Sequence, residues 1–241
     1  MEMIDLSRLE PQETLNHTSK GNQLKWKCYG YWYKADHMGY EGLAETIVSA
    51  LLGKSTVKYP FVAYEYSQIK YKERIYRGCK SADFLADGYD LIPLEKLYRK
   101  FTGGSLAVDT AHQGEITDQI KFLVNFVEQT TGLQEFGRYL TSMLEIDAFF
   151  LNEDRHTNNI AVQYNAADNT YALCPLFDNG LSLFADTNMD FPLERSLEDC
   201  LKTVEAKPFS RYFDEQLDAA EELYGIQLHF NFSTNDVKAL I

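Results

Sequence analysis

Two short polar segments contain the side chains whose types and spacing could do chemistry. The first reads FFLNEDRHTNNI and contains Asp154, His156 and Asn159, and the second reads LFDNGL and contains Asp178. One acid can face a substrate hydroxyl group, while an amide and a second acid can hold the divalent metal ions that bridge nucleotide phosphates. This combination is typical of a phosphoryl-transfer site.

The spacing within the first segment supports this interpretation. Five positions separate Asp154 from Asn159, which equals the acid-to-amide step in the kinase catalytic loop H-R-D-x-x-x-x-N. Each segment also has a simpler explanation, because Asp-Asn-Gly is a common turn and Arg155 could pair with an acid at a solvated helix end. The two segments together, in this order, favour phosphoryl transfer.

The flanking elements would bring the two segments together. Apolar residues within Leu140–Leu151 follow a helical period and predict a buried helix before the first segment. Two β-rich runs, Ile160–Tyr164 and Tyr171–Phe177, are joined by turn-type residues at 165–170 and predict a hairpin. The far end of that hairpin would place Asp178 beside the first segment.

Lys34 is the candidate cation for the nucleotide phosphates. It ends an aromatic strand and lies eleven positions before Glu45, in the next predicted helix, so an ion pair between the two would orient the lysine. Taken alone, Lys34 is better explained as a lysine on an exposed strand face. Lys25 and Lys27 are weaker alternatives for the cation, and Glu41, one helix turn from Glu45, is an alternative for the acid.

A phosphate-covering loop is expected before these strands. Ser19, Lys20 and Gly21 could turn the chain there and direct backbone N–H groups at a phosphate. The sequence contains neither G-x-G-x-x-G nor the P-loop consensus, and a plain surface turn explains these residues at least as well.

The order of elements predicts an α+β protein with two lobes. The pattern favours strands and one helix in the first third, with strands at Phe61–Ile69 and Arg74–Lys80, and helices afterwards, beginning with Leu91–Phe101. We therefore predict a small β-rich lobe over residues 1–80 and a larger, mainly helical lobe over residues 81–241. The glycine-containing stretch Phe101–Gly114 is expected to be a flexible loop.

Composition excludes several classes of protein. The net charge of −13 and the pI near 4.8 disfavour binding to nucleic acid or to an anionic membrane. The sequence has no run of eighteen apolar residues and no apolar signal-peptide core near its start, so we expect a cytoplasmic protein. Its four cysteines are far apart, which indicates neither a zinc site nor a disulfide framework.

Several motifs resemble those of known kinases. DRHTNNI resembles the catalytic loop of the phosphatidylinositol 3- and 4-kinase superfamily. The closer resemblance is to the bacterial HipA-type protein kinases, particularly the short CtkA-like members, through LFDNG, the lysine strand followed by YEGLAETIVSALL, and AKPF. The resemblance extends from about Leu15 to Phe213, and DRHTNNI and LFDNG are its most specific parts.

The resemblance implies a two-lobed protein-kinase-like fold that binds ATP and Mg²⁺ between the lobes. It places Asp154 near the acceptor hydroxyl, with His156 supporting the catalytic loop. It places Asn159 and Asp178 on the metal and Lys34 on the phosphates.

The resemblance also implies a connection between the lobes near Cys79–Ala82. Cys79 and Ser81 would lie at the adenine, which the chain would contact through backbone groups. The sequence departs from the Asp-Phe-Gly motif of eukaryotic kinases, because Asn179 and Gly180 follow the acid. A phenylalanine switch is therefore not expected.

The leading hypothesis is an ATP- and Mg²⁺-dependent kinase that acts on Ser or Thr of a protein. Autophosphorylation and a toxin-type kinase neutralised by an antitoxin partner are forms of the same hypothesis. The alternatives are a kinase for a small molecule or a lipid headgroup, and a non-catalytic nucleotide-binding regulatory module. The acidic surface speaks against an anionic lipid, and the acceptor-side acid Asp154 speaks against the non-catalytic module.

Overall fold

The computed structural model describes residues 3–12 and 23–240, which form eight strands and eight helices. The strands are β1 (Met3–Asp5), β2 (Lys25–Cys28), β3 (Tyr31–Ala35), β4 (Glu65–Tyr71), β5 (Arg74–Ala82), β6 (Tyr89–Pro93), β7 (Ala161–Asn165) and β8 (Thr170–Leu173). The helices are α1 (Glu41–Leu52), α2 (Leu94–Thr102), α3 (Leu106–Ala111), α4 (Ile116–Thr131), α5 (Phe136–Phe150), α6 (Leu197–Thr203), α7 (Phe213–Tyr224) and α8 (Thr234–Lys238). No helix among these residues is both long and apolar enough to cross a membrane.

The first sheet has the strand order β1-β4-β5-β3-β2, in which only the β1–β4 pair is parallel. One face carries an apolar cluster that includes Trp26 and Tyr33. Because side chains alternate between the faces of a strand, Lys34 lies on the other face. There it is in register with Lys25 on β2 and with Cys79 on β5.

Helix α1 lies against β5 through two glycines. A Cβ atom added to Gly42 would lie 2.6 Å from the Cα of Gly78, and one added to Gly78 would overlap the carbonyl oxygen of Lys34. The absence of side chains at both positions lets the helix backbone approach the strand closely. This approach carries Glu45, one turn further along α1, towards Lys34.

The helical part surrounds one large apolar core. Helix α5 lies in its centre and is buried along most of its length. Helix α1 contributes Ile47, Val48, Leu51 and Leu52 to the same core, so this helix packs against both the first sheet and the helical part. A second sheet with the order β6-β7-β8 borders the core.

The prediction of a flexible loop over Phe101–Gly114 is wrong for the central part of that stretch, because residues 106–111 form helix α3. The carboxylate of Glu95 accepts hydrogen bonds from the backbone N–H groups of Leu106 (3.2 Å) and Ala107 (3.1 Å), and so caps the helix from a distance. The hydroxyl of Tyr98 donates to Asp109 at 2.7 Å.

Three predicted boundaries also shift. The helix predicted over Leu91–Phe101 begins at Leu94, because residues 91–93 pair with β7 as part of β6. The strand predicted over Phe61–Ile69 begins at Glu65. The second strand of the hairpin ends at Leu173, and the chain beyond it forms an isolated bridge between residues 61 and 176.

The connection between the sheet and the helical part lies later than expected. Residues 79–82 were expected there, but they are the last residues of β5 and pair with β3. Residues 83–88 form the connection to β6. Extended pairing with a neighbouring strand is a long-range property that local sequence does not reveal.

We expect the substitution Gly42→Ala to lower the free energy of unfolding by about 1–3 kcal/mol, because the new methyl group meets backbone atoms that cannot rotate away. This cost exceeds the gain of roughly 1 kcal/mol that alanine brings to a helix. Urea denaturation would measure the change.

The control is Gly53→Ala at the end of α1, where φ is −61° and the nearest atom to a new Cβ lies 3.3 Å away. A destabilisation at Gly53 as large as that at Gly42 would contradict the close approach as the cause.

Candidate active site

The segment that follows α5 is held by the end of that helix. Leu151 adopts a left-handed conformation with φ of 56° and reverses the chain. The side chain of Asn152 donates to the Oδ1 of Asp147 at 2.8 Å, and its backbone N–H donates to the Asp147 carbonyl at 2.9 Å. Residues 152–159, called the catalytic loop below, therefore leave the buried helix in a fixed direction.

Arg155 joins the catalytic loop to two other segments. Its side chain is 2% exposed and forms two hydrogen bonds with the carboxylate of Asp147, at 2.8 and 3.0 Å. The guanidinium also donates to the Asn159 carbonyl (3.2 Å), the Phe177 carbonyl (3.0 Å) and the Oδ1 of Asn179 (2.8 Å). A planar guanidinium with all these partners fixes its neighbours in position.

Asp154 lies at the open end of the loop and contacts three side chains. The amide nitrogen of Asn159 donates to its carbonyl (2.8 Å) and to its Oδ2 (3.1 Å). The Nε2 of His156 lies 3.7 Å from Oδ2, and the Nζ of Lys207 lies 3.5 Å from Oδ1. The carboxylate is thus held between an amide, an imidazole and an ammonium group.

Lys34 forms an ion cluster with two acids from different elements. Its Nζ lies 2.6 Å from the Oε1 of Glu45 on α1 and 2.8 Å from the Oδ1 of Asp178. Its ammonium group also lies over the ring of Tyr64, 5.0 Å from the centroid. We refer to Lys34, Glu45 and Asp178 as the ion cluster.

Asn179 connects the ion cluster to Arg155. Its backbone N–H donates to the Oε2 of Glu45 at 2.9 Å, while its side-chain oxygen accepts from Arg155. Glu45 therefore uses one oxygen for Lys34 and the other for the segment that carries Asp178. A continuous series of hydrogen bonds links α5, the catalytic loop, residues 177–179, α1 and β3.

Glu41, the alternative to Glu45, binds backbone N–H groups. Its carboxylate accepts hydrogen bonds from the backbone N–H groups of residues 37, 38 and 39, at 2.6–3.0 Å. It thereby holds the turn that leads from β3 into α1. Among the described residues, Glu45 is the helix acid that contacts Lys34.

The charges of the ion cluster stabilise one another. Burial raises the pKa of Asp178, but the neighbouring Lys34, Lys25 and Arg155 outweigh this effect and hold the pKa well below its ordinary value. Burial lowers the pKa of Lys34, and Asp178 and Glu45 outweigh it, so that this pKa is raised. Both groups are therefore charged over the whole physiological pH range.

The donor set suits a magnesium-bound nucleotide. Mg²⁺ prefers a few carboxylate or carbonyl oxygens together with phosphate oxygens, and Asp178 and Asn159 offer such oxygens. The side-chain nitrogen of Asn159 is engaged with Asp154, and among the described residues its side-chain Oδ1 has no hydrogen-bond donor. Lys34 supplies a cation at the same place.

Two other residues predicted for nucleotide binding, Cys79 and Ser81, lie within strand β5. Cys79 is buried in the middle of β5, in register with Lys34, and packs with Val62 and Tyr64. Ser81 is buried near the end of β5, opposite Trp32. Neither lies in the connection between the two parts of the molecule.

Ser19, Lys20 and Gly21, predicted for the phosphate-covering loop, lie outside the described residues.

The sequence analysis did not assign Arg155 or Lys207 to the site. Arg155 was considered only as a partner for an acid at a solvated helix end, whereas it is a buried link between three segments. Lys207 belongs to the AKPF motif, which was noted as part of a resemblance without a role for the lysine. A single lysine within a short motif gave no local signal of its contact with Asp154.

Replacement of Arg155 by Lys should lower the free energy of unfolding by about 3–5 kcal/mol, because one ammonium group cannot satisfy Asp147 and the three other acceptors in a buried setting. Urea denaturation monitored by circular dichroism would measure this.

Arg211→Lys is the matched control, since Arg211 pairs with Glu205 at 2.6 Å on the surface. Such a pair contributes within about 1 kcal/mol. Equal effects of the two substitutions would contradict the role given to Arg155.

Comparisons with known proteins support the fold. No protein-family model and no curated protein matches the sequence. Among solved structures, the chain is similar to the proinflammatory kinase CtkA of Helicobacter pylori, with a TM-score of 0.61 and 16% sequence identity over 99% of this chain and 86% of that one. At this identity the likeness is evidence for the fold. The prediction of an α+β, protein-kinase-like fold is confirmed.

Proposed function

We propose that the protein is an ATP- and Mg²⁺-dependent kinase that transfers the γ-phosphate to a Ser or Thr hydroxyl of a protein. The observation that carries the proposal is the ion cluster, in which Lys34 lies 2.6 Å from Glu45 and 2.8 Å from Asp178. A strand lysine oriented by a helix glutamate, beside a metal-binding acid, is the arrangement that kinases use to hold nucleotide phosphates.

Each side chain has a defined part in the proposed reaction. Asp178 and Asn159 would hold Mg²⁺, which would neutralise charge on the phosphates. Lys34 would contact the phosphates, and Glu45, 2.6 Å from its ammonium group, would keep it in position. Asp154 orients the acceptor hydroxyl and receives its proton.

Lys207 and His156 support Asp154 in this scheme. The ammonium group of Lys207 lies 3.5 Å from the Oδ1 of Asp154. There it can also stabilise the negative charge of the phosphoryl group in transfer. The backbone N–H of His156 donates to the Asp154 carbonyl (2.9 Å) and its carbonyl accepts from the Asn159 N–H (2.8 Å), which holds the loop.

The surface beside Asp154 supports a polypeptide acceptor. A cavity of about 270 Å³ is lined by Glu153, Asp190 and Lys207, among other residues. Leu193 and Leu197, in the adjoining segment, have exposed side chains. Contiguous exposed apolar surface marks protein-binding sites, and these two leucines would form part of such a surface for a polypeptide acceptor.

Incubation of the protein with labelled ATP and Mg²⁺, alone and with cell lysate, tests the proposal. We expect label on protein bands, as phosphoserine or phosphothreonine. Label on a small molecule or a lipid would support the alternative kinases instead. Bound ATP without any transfer would indicate a non-catalytic regulatory module, and a factor in the lysate that suppresses transfer would fit an antitoxin.

The substitution Asp154→Asn should lower kcat by roughly 10²–10⁴-fold, the usual contribution of a general base, while the affinity for ATP stays within about threefold. The side chain keeps its shape but can no longer accept the proton, so the loss falls on the transition state. Calorimetry and single-turnover assays would separate the two effects.

Asp168→Asn, in the exposed turn between β7 and β8, is the control and should leave both quantities unchanged. A loss of ATP affinity that matches the loss of rate would remove Asp154 from the acceptor side.

Lys34→Ala and Glu45→Ala should each lower kcat/KM by roughly 10²-fold or more, and the double variant should cost much less than the product of the two. Groups that act as one unit are non-additive. Kinetic assays of the four proteins would give the coupling energy.

The surface pair of Lys54 and Asp236, 2.7 Å apart, offers a control cycle in which both changes should leave kcat/KM unaltered. Independent effects of Lys34 and Glu45 would remove Glu45 from the site.

A further inference from the structure

A second lysine shares the face of the sheet that carries the ion cluster. Lys25 on β2 is the direct cross-strand partner of Lys34 on β3. In an antiparallel sheet the Cβ atoms of such a pair lie about 4.5–5.5 Å apart on the same face. The two ammonium groups therefore share one region, and Asp178 and Glu45 act electrostatically on Lys25 as they do on Lys34.

The two lysines differ in their partners. Lys34 is bound by both acids of the ion cluster. The ammonium group of Lys25, by contrast, forms no hydrogen bond or ion pair with any residue in 3–12 or 23–240. Burial lowers its pKa, the charge of Asp178 raises it and that of Lys34 lowers it again. Lys25 is thus a half-buried cation beside a cluster whose acids are already engaged.

This arrangement costs stability unless an anion is bound. Like charges directly opposite each other on neighbouring strands are destabilising, and a half-buried ammonium group without a partner among the described residues adds to that cost. A polyphosphate chain next to Lys34 would remove both costs, since its oxygens can accept from the two ammonium groups. Metal binding to Asp178 would add further positive charge to the region.

We propose that Lys25 is a second phosphate-binding residue, which works together with Lys34 to hold the polyphosphate of a nucleoside di- or triphosphate. The proposal rests on the proposed function and extends it. Lys34 is oriented by Glu45, and Lys25 adds the positive charge that the engaged lysine cannot supply alone. Affinity should then depend on the number of phosphate groups.

Calorimetric titration of AMP, ADP and ATP in EDTA tests this with Lys25→Met, which keeps most of the apolar stem. We expect the affinity for ADP and ATP to fall roughly ten- to a hundredfold, the loss of one charge-assisted contact, and that for AMP to stay the same. Lys25→Arg keeps the charge and should retain most of the phosphate dependence.

Lys27→Met is the matched control on the same strand and face. Its ammonium group is already paired with Asp83 at 2.6 Å, so its loss should affect the three nucleotides equally or not at all. Without nucleotide, Lys25→Met should melt at the same temperature as the wild type or higher, and ADP should raise that temperature less than in the wild type.

Two results would overturn the role of Lys25: ATP affinity equal to that of the wild type, or an equal loss for AMP and ATP. A wild-type protein that binds nucleotides but transfers no phosphate would overturn the proposed function alone. A wild-type protein that binds none of the three, either in EDTA or with Mg²⁺, would overturn both.

Discussion

The buried guanidinium of Arg155 is the constraint on which the site depends. A charged group removed from water is costly unless each of its donors finds a partner, and here the partners come from α5, the catalytic loop and residues 177–179. The loop that carries Asp154 and the segment that carries Asp178 are therefore positioned by one side chain. Because that side chain tolerates no missing partner, the two segments cannot shift independently of each other.

Asn179 extends this constraint to the first sheet. Its side chain accepts from Arg155 and its backbone donates to Glu45, which in turn holds Lys34. A phenylalanine at this position could not accept the hydrogen bond from Arg155, so hydrogen bonds set the relation between α1 and Asp178. The glycine contact between α1 and β5 fixes the same helix one turn before Glu45. Helix α1 is thus held both by close packing and by a buried polar network, which together define one position of Glu45.

The sequence predicted those features that follow from local spacing. Lys34 and Glu45, eleven positions apart, form the predicted ion pair at 2.6 Å. The predicted hairpin before Asp178 also forms, and Asp178 lies 2.8 Å from Lys34. Features that depend on distant partners were not predictable. Helix α3 exists because Glu95 caps it from another helix, and Arg155 is buried because its partners lie on three separate segments. Hydrophobic period and turn signals contain no information on such contacts.

The cationic row formed by Lys25 and Lys34 stands in contrast to the chain as a whole, which has a net charge of −13. Charges separated by more than about 8 Å are largely screened at physiological ionic strength, so the distant acidic surface has little effect on a phosphate inside the site. The nearby groups set the electrostatic potential at a bound phosphate. The two lysines of the row face the two acids of the ion cluster, so these four side chains together have no excess of positive charge. Under the proposed function, a metal ion bound at Asp178 would supply that excess. The same residues would therefore bind a magnesium-complexed nucleotide better than a free polyanion. The acids that hold Lys34 in place would thus also determine which of these two ligands is preferred.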